Sequence, residues 1–408
     1  LPKPKLPRLT INRFGPITKA DVAFGDLSII VGPQATGKSL FLQTLKLLVD
    51  RDQIHDMFMR HNMSFSGREE AFLDAYFGGG IANGWGRRSS MSFNGASKTL
   101  AELARPSRGK KRYERLFYIP AQRVMSLPSG VSQNFGTFNF GDPYALRAFS
   151  DAVHDLIQNE FAAKGELFPA PNRLNAILRQ PISEQLFGRT SLIVDESEFT
   201  KRLALRVPRQ KKPLSFLSWS AGQREFTPML MGLYWLCTVT QKRKSGSNAR
   251  ETIDWVVIEE PEMGLHPNGI QAVLLLMLEL LRRGYRVVVS THSPVVLEMV
   301  WALQEFKKLR ADEIHVRKLF DLPAAPYAKE LAVTALNKDY RVYFFDRNGH
   351  SHDISRLDPA AEQIDESEWG ELVGFTSKVN AEIAHAVNET SIKKPRGRRH
   401  CEQARALF

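Results

Sequence analysis

The chain has 408 residues, 43% of them hydrophobic and 25% charged, which is ordinary for a soluble globular protein with a sizeable core and room for two or three domains. Two cysteines, Cys237 and Cys401, exclude a disulfide framework and a cysteine-based zinc site and fit a reducing, cytoplasmic compartment. The longest apolar run, residues 272–278, is too short to cross a bilayer, and residues 1–9 are rich in proline and lysine without an apolar signal core, so no membrane association is expected. The formal net charge of +12 is concentrated in basic clusters at 105–115, 201–212, 242–250 and 393–405, which suit DNA, RNA or a strongly acidic protein as partner.

Residues 8–31 read as short strands of an N-terminal β-layer, with turns at Gly15-Pro16 and Gly25-Asp26. The last strand, Leu27-Ser28-Ile29-Ile30-Val31, runs into Gly32-Pro33-Gln34-Ala35-Thr36-Gly37-Lys38-Ser39, and an apolar helix follows with Leu40, Phe41, Leu42, Leu45, Leu47 and Leu48. From 51 to 213 the pattern predicts an inserted lobe. It holds a helix carrying Met57, Phe58 and Met59, a second at 69–77, a flexible glycine-rich stretch at 78–86 and a helix across 143–163. A hairpin of 191–194 and 203–207 closes on the acidic residues 195–198. No heptad pattern is sustained, so long coiled-coil arms are not expected. Three further elements follow in order. Ser218-Trp219-Ser220-Ala221-Gly222-Gln223-Arg224-Glu225 opens an apolar helix. Trp255-Val256-Val257-Ile258-Glu259-Glu260-Pro261-Glu262 is a strand ending in acids, and Val287-Val288-Val289-Ser290-Thr291-His292-Ser293-Pro294 is a strand ending in histidine. Beyond them the sequence predicts a helix at 294–306, strands at 313–316 and 341–345, and a tight turn at Asn348-Gly349 before Asp353-Ile354.

The segment 32–39 fits the phosphate-binding pattern G-x-x-x-x-G-K-S with a strand before it and a helix after it. Gly32 and Gly37 let the backbone of Gln34, Ala35 and Thr36 curl so that its N–H groups face a phosphate. Lys38 supplies a full charge, and the Ser39 hydroxyl is a Mg²⁺ ligand. Nucleotide binding follows from that motif.

Taken together, the phosphate loop and the three later elements resemble the ABC-type ATPases, in particular the RecF-like, SMC-related and OLD-like branch. The resemblance covers residues 8–50 and 214–300 and is carried most specifically by 259–267, 290–294 and Tyr118-Ile119-Pro120-Ala121-Gln122-Arg123. It implies an α/β fold, a P-loop NTPase of ABC type with an N-terminal β-layer, an inserted mixed α/β lobe and a small C-terminal α+β extension. The ATPase domain would span 1–310 and the extension, with its basic tail, 311–408. The cofactors implied are ATP and Mg²⁺.

The resemblance also assigns roles. Glu259 stands at the Mg²⁺-organising carboxylate, where the family usually has Asp, and Glu260 at the glutamate that polarises the attacking water. His292 stands at the histidine that contacts the γ-phosphate, and Gln122 at the glutamine linking Mg²⁺ to the inserted lobe. Ser220, with Gly222 and Gln223 at the helix start, matches the signature that binds the γ-phosphate of a nucleotide held by another subunit, so the chain is expected to form at least a head-to-tail dimer. Asn12 and Arg13 lie where relatives approach the nucleotide. Three departures are visible: Ala221 for the first signature glycine, Gln34 for asparagine, and His266 where an aspartate would fall.

Residues 293–408 contain no Asp-x-Asp, as a Toprim nuclease would need, and His350, His352 and Asp353 read as an exposed hairpin rather than a metal site. ATPases of this branch without arms or a fused nuclease resemble the ATPase subunits of bacterial anti-phage systems such as PARIS, Septu and some retrons, which hold a toxin or nuclease in check. That reading makes an effector protein the expected partner, with DNA or an acidic DNA mimic as trigger. The alternatives are a repair or recombination ATPase that clamps DNA, and a nucleotide-gated scaffold with little hydrolysis, against which Glu260 argues.

Overall fold

A computed structural model describes residues 6–65, 67–106, 113–160, 166–170, 174–196, 200–237 and 252–393. Strands β1 (Arg8–Phe14), β2 (Ile17–Ala23) and β3 (Leu27–Val31) lead into α1 (Lys38–Arg60), followed by α2 (Glu69–Phe77), β4 (Trp85–Phe93), β5 (Ala96–Lys98), α3 (Leu100–Ala104) and β6 (Leu116–Ile119). Next come α4 (Tyr144–Asp155), β7 (Glu166–Phe168), α5 (Ala176–Ile182), β8 (Ser191–Asp195), β9 (Arg202–Arg206) and α6 (Ala221–Cys237). The last part holds β10 (Trp255–Glu259), α7 (Pro267–Arg282), β11 (Arg286–Ser290), α8 (Pro294–Lys308), α9 (Glu313–Leu319), α10 (Pro326–Asn337), β12 (Tyr340–Phe345), β13 (Ser351–Asp353), α11 (Ile364–Ser367) and α12 (Gly374–Lys393).

The central sheet has the order β13-β12-β3-β11-β10-β6, in which β12, β3, β11, β10 and β6 run parallel and β13 is an antiparallel edge. Strands covered on both faces read as continuous apolar runs, and these do. Leu27, Ile29, Val31, Val256, Ile258, Val287 and Val289 face a core shared with α6, α7 and α8. Ile30, Val257 and Val288 face a second core with α1 and the β-layer. This is a P-loop NTPase fold. The β-layer is a separate antiparallel sheet, β2-β1-β4-β5, and β7-β8-β9 form a third.

Several expectations change at this level. The phosphate-loop helix runs on to Arg60, bending at Asp50, so Met57–Met59 belong to α1 and not to a new helix. Within 51–213, β4 and β5 pair into the N-terminal layer and β6 into the central sheet. The glycine-rich stretch 78–86 ends by entering β4. Residues 313–316 are helical: Glu313 and Arg317 pair at i,i+4, and Glu313 and Val316, three apart on one helix face, are buried while Ile314 stays exposed. Strand β12 lies parallel to β3, so the C-terminal segment completes the sheet beside the phosphate loop. The 143–163 helix is α4 with a wider turn to residue 160. Phe161, residues 197 and 198 of the acidic link, Cys401, and the basic clusters at 242–250 and, but for Lys393, at 393–405 lie outside the described residues, as do 107–112 of the first cluster.

Helix α7 is apolar around its buried length except for Glu279, which is 1% exposed. Arg282 donates to both its oxygens, Arg283 to Oε1 at 2.6 Å and Tyr327 of α10 to Oε2 at 2.7 Å. Burial alone would raise the Glu279 pKa, but the bonds from Arg282, Tyr327 and Arg283 outweigh it and hold the carboxyl below its ordinary value. A depressed acid stabilises the fold above the ordinary glutamate range and loses that contribution as pH falls through the depressed value. Glu279→Gln should therefore cost about 2 kcal/mol near neutral pH. Urea unfolding should show that difference shrinking below about pH 4. A pH-independent difference contradicts the ion-pair account.

Candidate nucleotide site

The phosphate loop is set by β3, whose five residues are all buried. Gly32 has φ 143° and a side chain there would collide with the Phe345 carbonyl of β12. Gly37 has φ 91°, and a Cβ would lie 2.7 Å from Ile17. The loop is therefore clamped between the C-terminal strand and the β-layer. Ala35 also adopts a positive φ, 62°, and Thr36 Oγ1 donates to the Pro33 carbonyl at 3.0 Å. Gln34 and Ser39 are exposed. Lys38 is buried, and its ammonium donates to the carbonyls of Gly32 (2.7 Å) and Pro33 (2.6 Å). Burial lowers its pKa, opposed by the negative charges of Glu260 and Glu259.

The carboxylates stand at the end of β10. Glu259 is 1% exposed. Its Oε1 accepts from Tyr118 Oη at 2.8 Å and its Oε2 from the Ala121 N–H at 2.9 Å, and the neighbouring Ser39 hydroxyl also acts to lower its pKa. Burial raises its pKa against those three donors, so the carboxyl ionises less readily than in water, and the charge of a divalent cation would favour its carboxylate form. Among the described residues no three His, Cys, Asp or Glu side chains gather into a metal cage. A hydroxyl beside one carboxylate nevertheless fits Mg²⁺, which takes few protein ligands and completes its shell with water and phosphate.

Glu260 follows with φ 43°, in the left-handed region that side chains other than glycine rarely adopt. Its N–H donates to Ser290 O of β11 at 2.8 Å, and its carboxylate lies 3.7 Å from His292 Nε2, both side chains about one-third exposed. The histidine loop is held in turn by Glu262, whose Oε1 accepts from the Thr291 hydroxyl (2.8 Å) and the His292 N–H (2.6 Å). Lys38, Ser39, Glu259, Glu260 and His292 thus come together at the C-terminal ends of β3, β10 and β11.

Ser220 stands apart. It caps α6 reciprocally with Gln223: the Gln223 N–H donates to Ser220 Oγ at 3.2 Å and the Ser220 N–H to Gln223 Oε1 at 3.0 Å. Gln223 also donates to Leu186 O, and Gly222 packs so closely that a Cβ would lie 2.8 Å from Gly264 O. Ser220 is exposed at this helix N-terminus, and none of the described hydrogen bonds links it to the phosphate loop. His266 caps α7, accepting from the Asn268 N–H.

Gln122 is exposed, with no described side-chain bond to Ser39, Glu259 or Glu260. Its neighbours do what sequence reading missed. Tyr118 and Ala121 hold the Glu259 side chain, and Arg123, fully buried, bonds the Glu259 and Glu260 carbonyls. The only available signal was the Tyr118–Arg123 run itself. Asn12 and Arg13 line an open groove of about 430 Å³ with Thr18, Lys19, Arg88, Ser90 and His350, a basic lining without a carboxylate. His352 and His350 face Asp346 on the β12–β13 hairpin.

The protein family described as "AAA domain, putative AbiEii toxin, Type IV TA system" matches residues 146–298, a range that holds Ser220, Glu259, Glu260 and His292 but not the phosphate loop. Among solved structures, an SMC head bound to the C-terminal winged-helix domain of ScpA is similar at 16% identity and a TM-score of 0.37, over 72% of this chain and 92% of that one. The SMC head domain of Thermotoga maritima is similar at 12% identity and a TM-score of 0.32, over 72% of this chain and 91% of that one. No curated protein matches the chain. Among the described residues, no helix is long and apolar enough to cross a membrane.

Proposed function

We propose that this chain is an ABC-type ATPase that binds and hydrolyses ATP with Mg²⁺ in sites shared between copies, and that its nucleotide state controls a partner effector, a toxin or nuclease, in anti-phage defence. The observation that carries the reading is the meeting of Ser39 with Glu259 and of Glu260 with His292 beside Lys38. The loop N–H groups and the α1 N-terminus would cradle the phosphates, with Lys38 turning its ammonium from the Gly32 and Pro33 carbonyls to the terminal oxygens. Ser39 and Glu259 would hold Mg²⁺, which when bound neutralises developing phosphate charge. Glu260 would orient and polarise the attacking water, and His292 would contact the terminal phosphate.

Ser220, exposed on an α6 N-terminus outside this cluster, is the reason for a second copy: its place suits the phosphate of a nucleotide held by another head. The toxin–antitoxin system named in the matching family's description supports a role in defence. A second reading, a clamp on DNA, is favoured by the basic groove at Arg13, Lys19 and Arg88.

Purified chain should release phosphate from ATP in a saturable, Mg²⁺-dependent way; protein that binds ATP without turnover is a nucleotide-gated scaffold. Co-purification of a toxin or nuclease from native cells supports effector control. Retention of DNA alone, lost on raising salt, supports the clamp.

A further inference from the structure

Arg123 is 0% exposed, and among the described residues its guanidinium donates to backbone carbonyls. Nη1 donates to Glu259 O (2.8 Å) and Pro120 O (3.3 Å), Nη2 to Glu260 O (2.9 Å) and Nε to Glu225 O of α6 (2.9 Å). One planar group thus joins the segment after β6, the acidic end of β10 and the helix whose N-terminus carries Ser220. The peptide groups flanking the Glu260 α-carbon are pinned on both sides, to Ser290 of β11 through the N–H and to Arg123 through the C=O, in a conformation that a non-glycine residue holds only when its surroundings impose it.

We propose that Arg123 is a positioning residue that couples the signature helix α6 to the catalytic carboxylate of Glu260, a role that rests on the ATPase reading. Ser220 and Glu225 lie five residues apart on one rigid helix, roughly 7 Å along its axis. A displacement of the α6 N-terminus on meeting a neighbouring head's phosphate is therefore carried to the Glu225 carbonyl. From there it passes through a guanidinium that has no slack, because each nitrogen is engaged, to the Glu260 peptide. Engagement of the second head would aim the carboxylate at the water, so that hydrolysis waits on assembly.

Arg123→Lys tests this. Lysine keeps the charge but replaces the fork with a single ammonium that cannot serve carbonyls on all three sides. The folded variant should bind ATP within about threefold of wild type, with KM similarly unchanged, and lose about a hundredfold in kcat, the scale of a misplaced catalytic group. Arg147→Lys is the control: Arg147 is also buried, stacked 4.0 Å from the Phe135 ring centre and away from the site, so it should lower Tm but keep kcat. Normal kcat in folded Arg123→Lys overturns the role, as does an equal kcat loss in Arg147→Lys. The wild-type chain gives a reading that needs no variant. ATP-driven assembly should slow amide exchange at 221–226 and 258–262 together, and protection of the first with no change in the second overturns the coupling. A wild-type chain without turnover instead overturns the ATPase reading itself; turnover that survives in Arg123→Lys overturns only the coupling.

Discussion

Lys38→Ala is expected to weaken ATP binding by roughly 30-fold to several thousand-fold, the range for truncating one partner of a buried, hydrogen-bonded charge pair. The ammonium is buried, and its described bonds go to its own loop, at Gly32 O and Pro33 O. Its loss therefore leaves the sheet and both cores intact, and Tm without nucleotide should move by only a few degrees. Calorimetric titration with ATP checks the affinity. Undiminished binding would remove Lys38 from the phosphate site and leave the loop's backbone to do all the work.

Glu260→Gln should separate binding from chemistry. The amide keeps the size and hydrogen-bonding reach of the carboxylate but cannot take a proton from water, so turnover should fall by roughly 10²-fold or more. Binding should persist, because Lys38, Ser39 and Glu259 are untouched. The variant should accumulate in the ATP-bound assembly. Single-turnover phosphate release measures the loss, and wild-type turnover would move the catalytic role to another group.

The parts of this account that could be read from sequence are those with local causes. A buried strand, two glycines at forced backbone angles and a helix declare the phosphate loop within thirteen residues, 27–39. The strands ending at Glu259 and Ser290 are apolar on both faces and so stand out as runs. What stayed hidden depends on partners far apart in the chain. Arg123 meets Glu259 across 136 positions and Tyr118 meets it across 141, and neither pairing leaves a mark on periodicity. Strand β4 was missed because its sequence, Trp-Gly-Arg-Arg-Ser-Ser-Met-Ser-Phe, buries only Met91 fully and shows no alternation. Residues 313–316 misled for the opposite reason: Ile314 and Val316 alternate as in a strand, yet the buried pair is Glu313 and Val316, at helical spacing, and Glu313 reaches Arg317 at i,i+4.

The central claim is that a catalytic site is completed by a second copy of the chain, and mixing two inactive variants tests it most directly. Ser220→Arg places bulk and charge on the α6 N-terminus and should abolish turnover while leaving ATP binding to its own head. Glu260→Gln is inactive for the separate reason given above. In a mixed dimer, the first variant contributes an intact carboxylate and the second an intact signature, so one of the two sites is whole. With random pairing, half the dimers are mixed, and turnover should recover to about a quarter of the wild-type value per chain. Recovery near that level supports shared sites. An inactive mixture in which the two proteins demonstrably co-assemble, or normal turnover by Ser220→Arg alone, contradicts them.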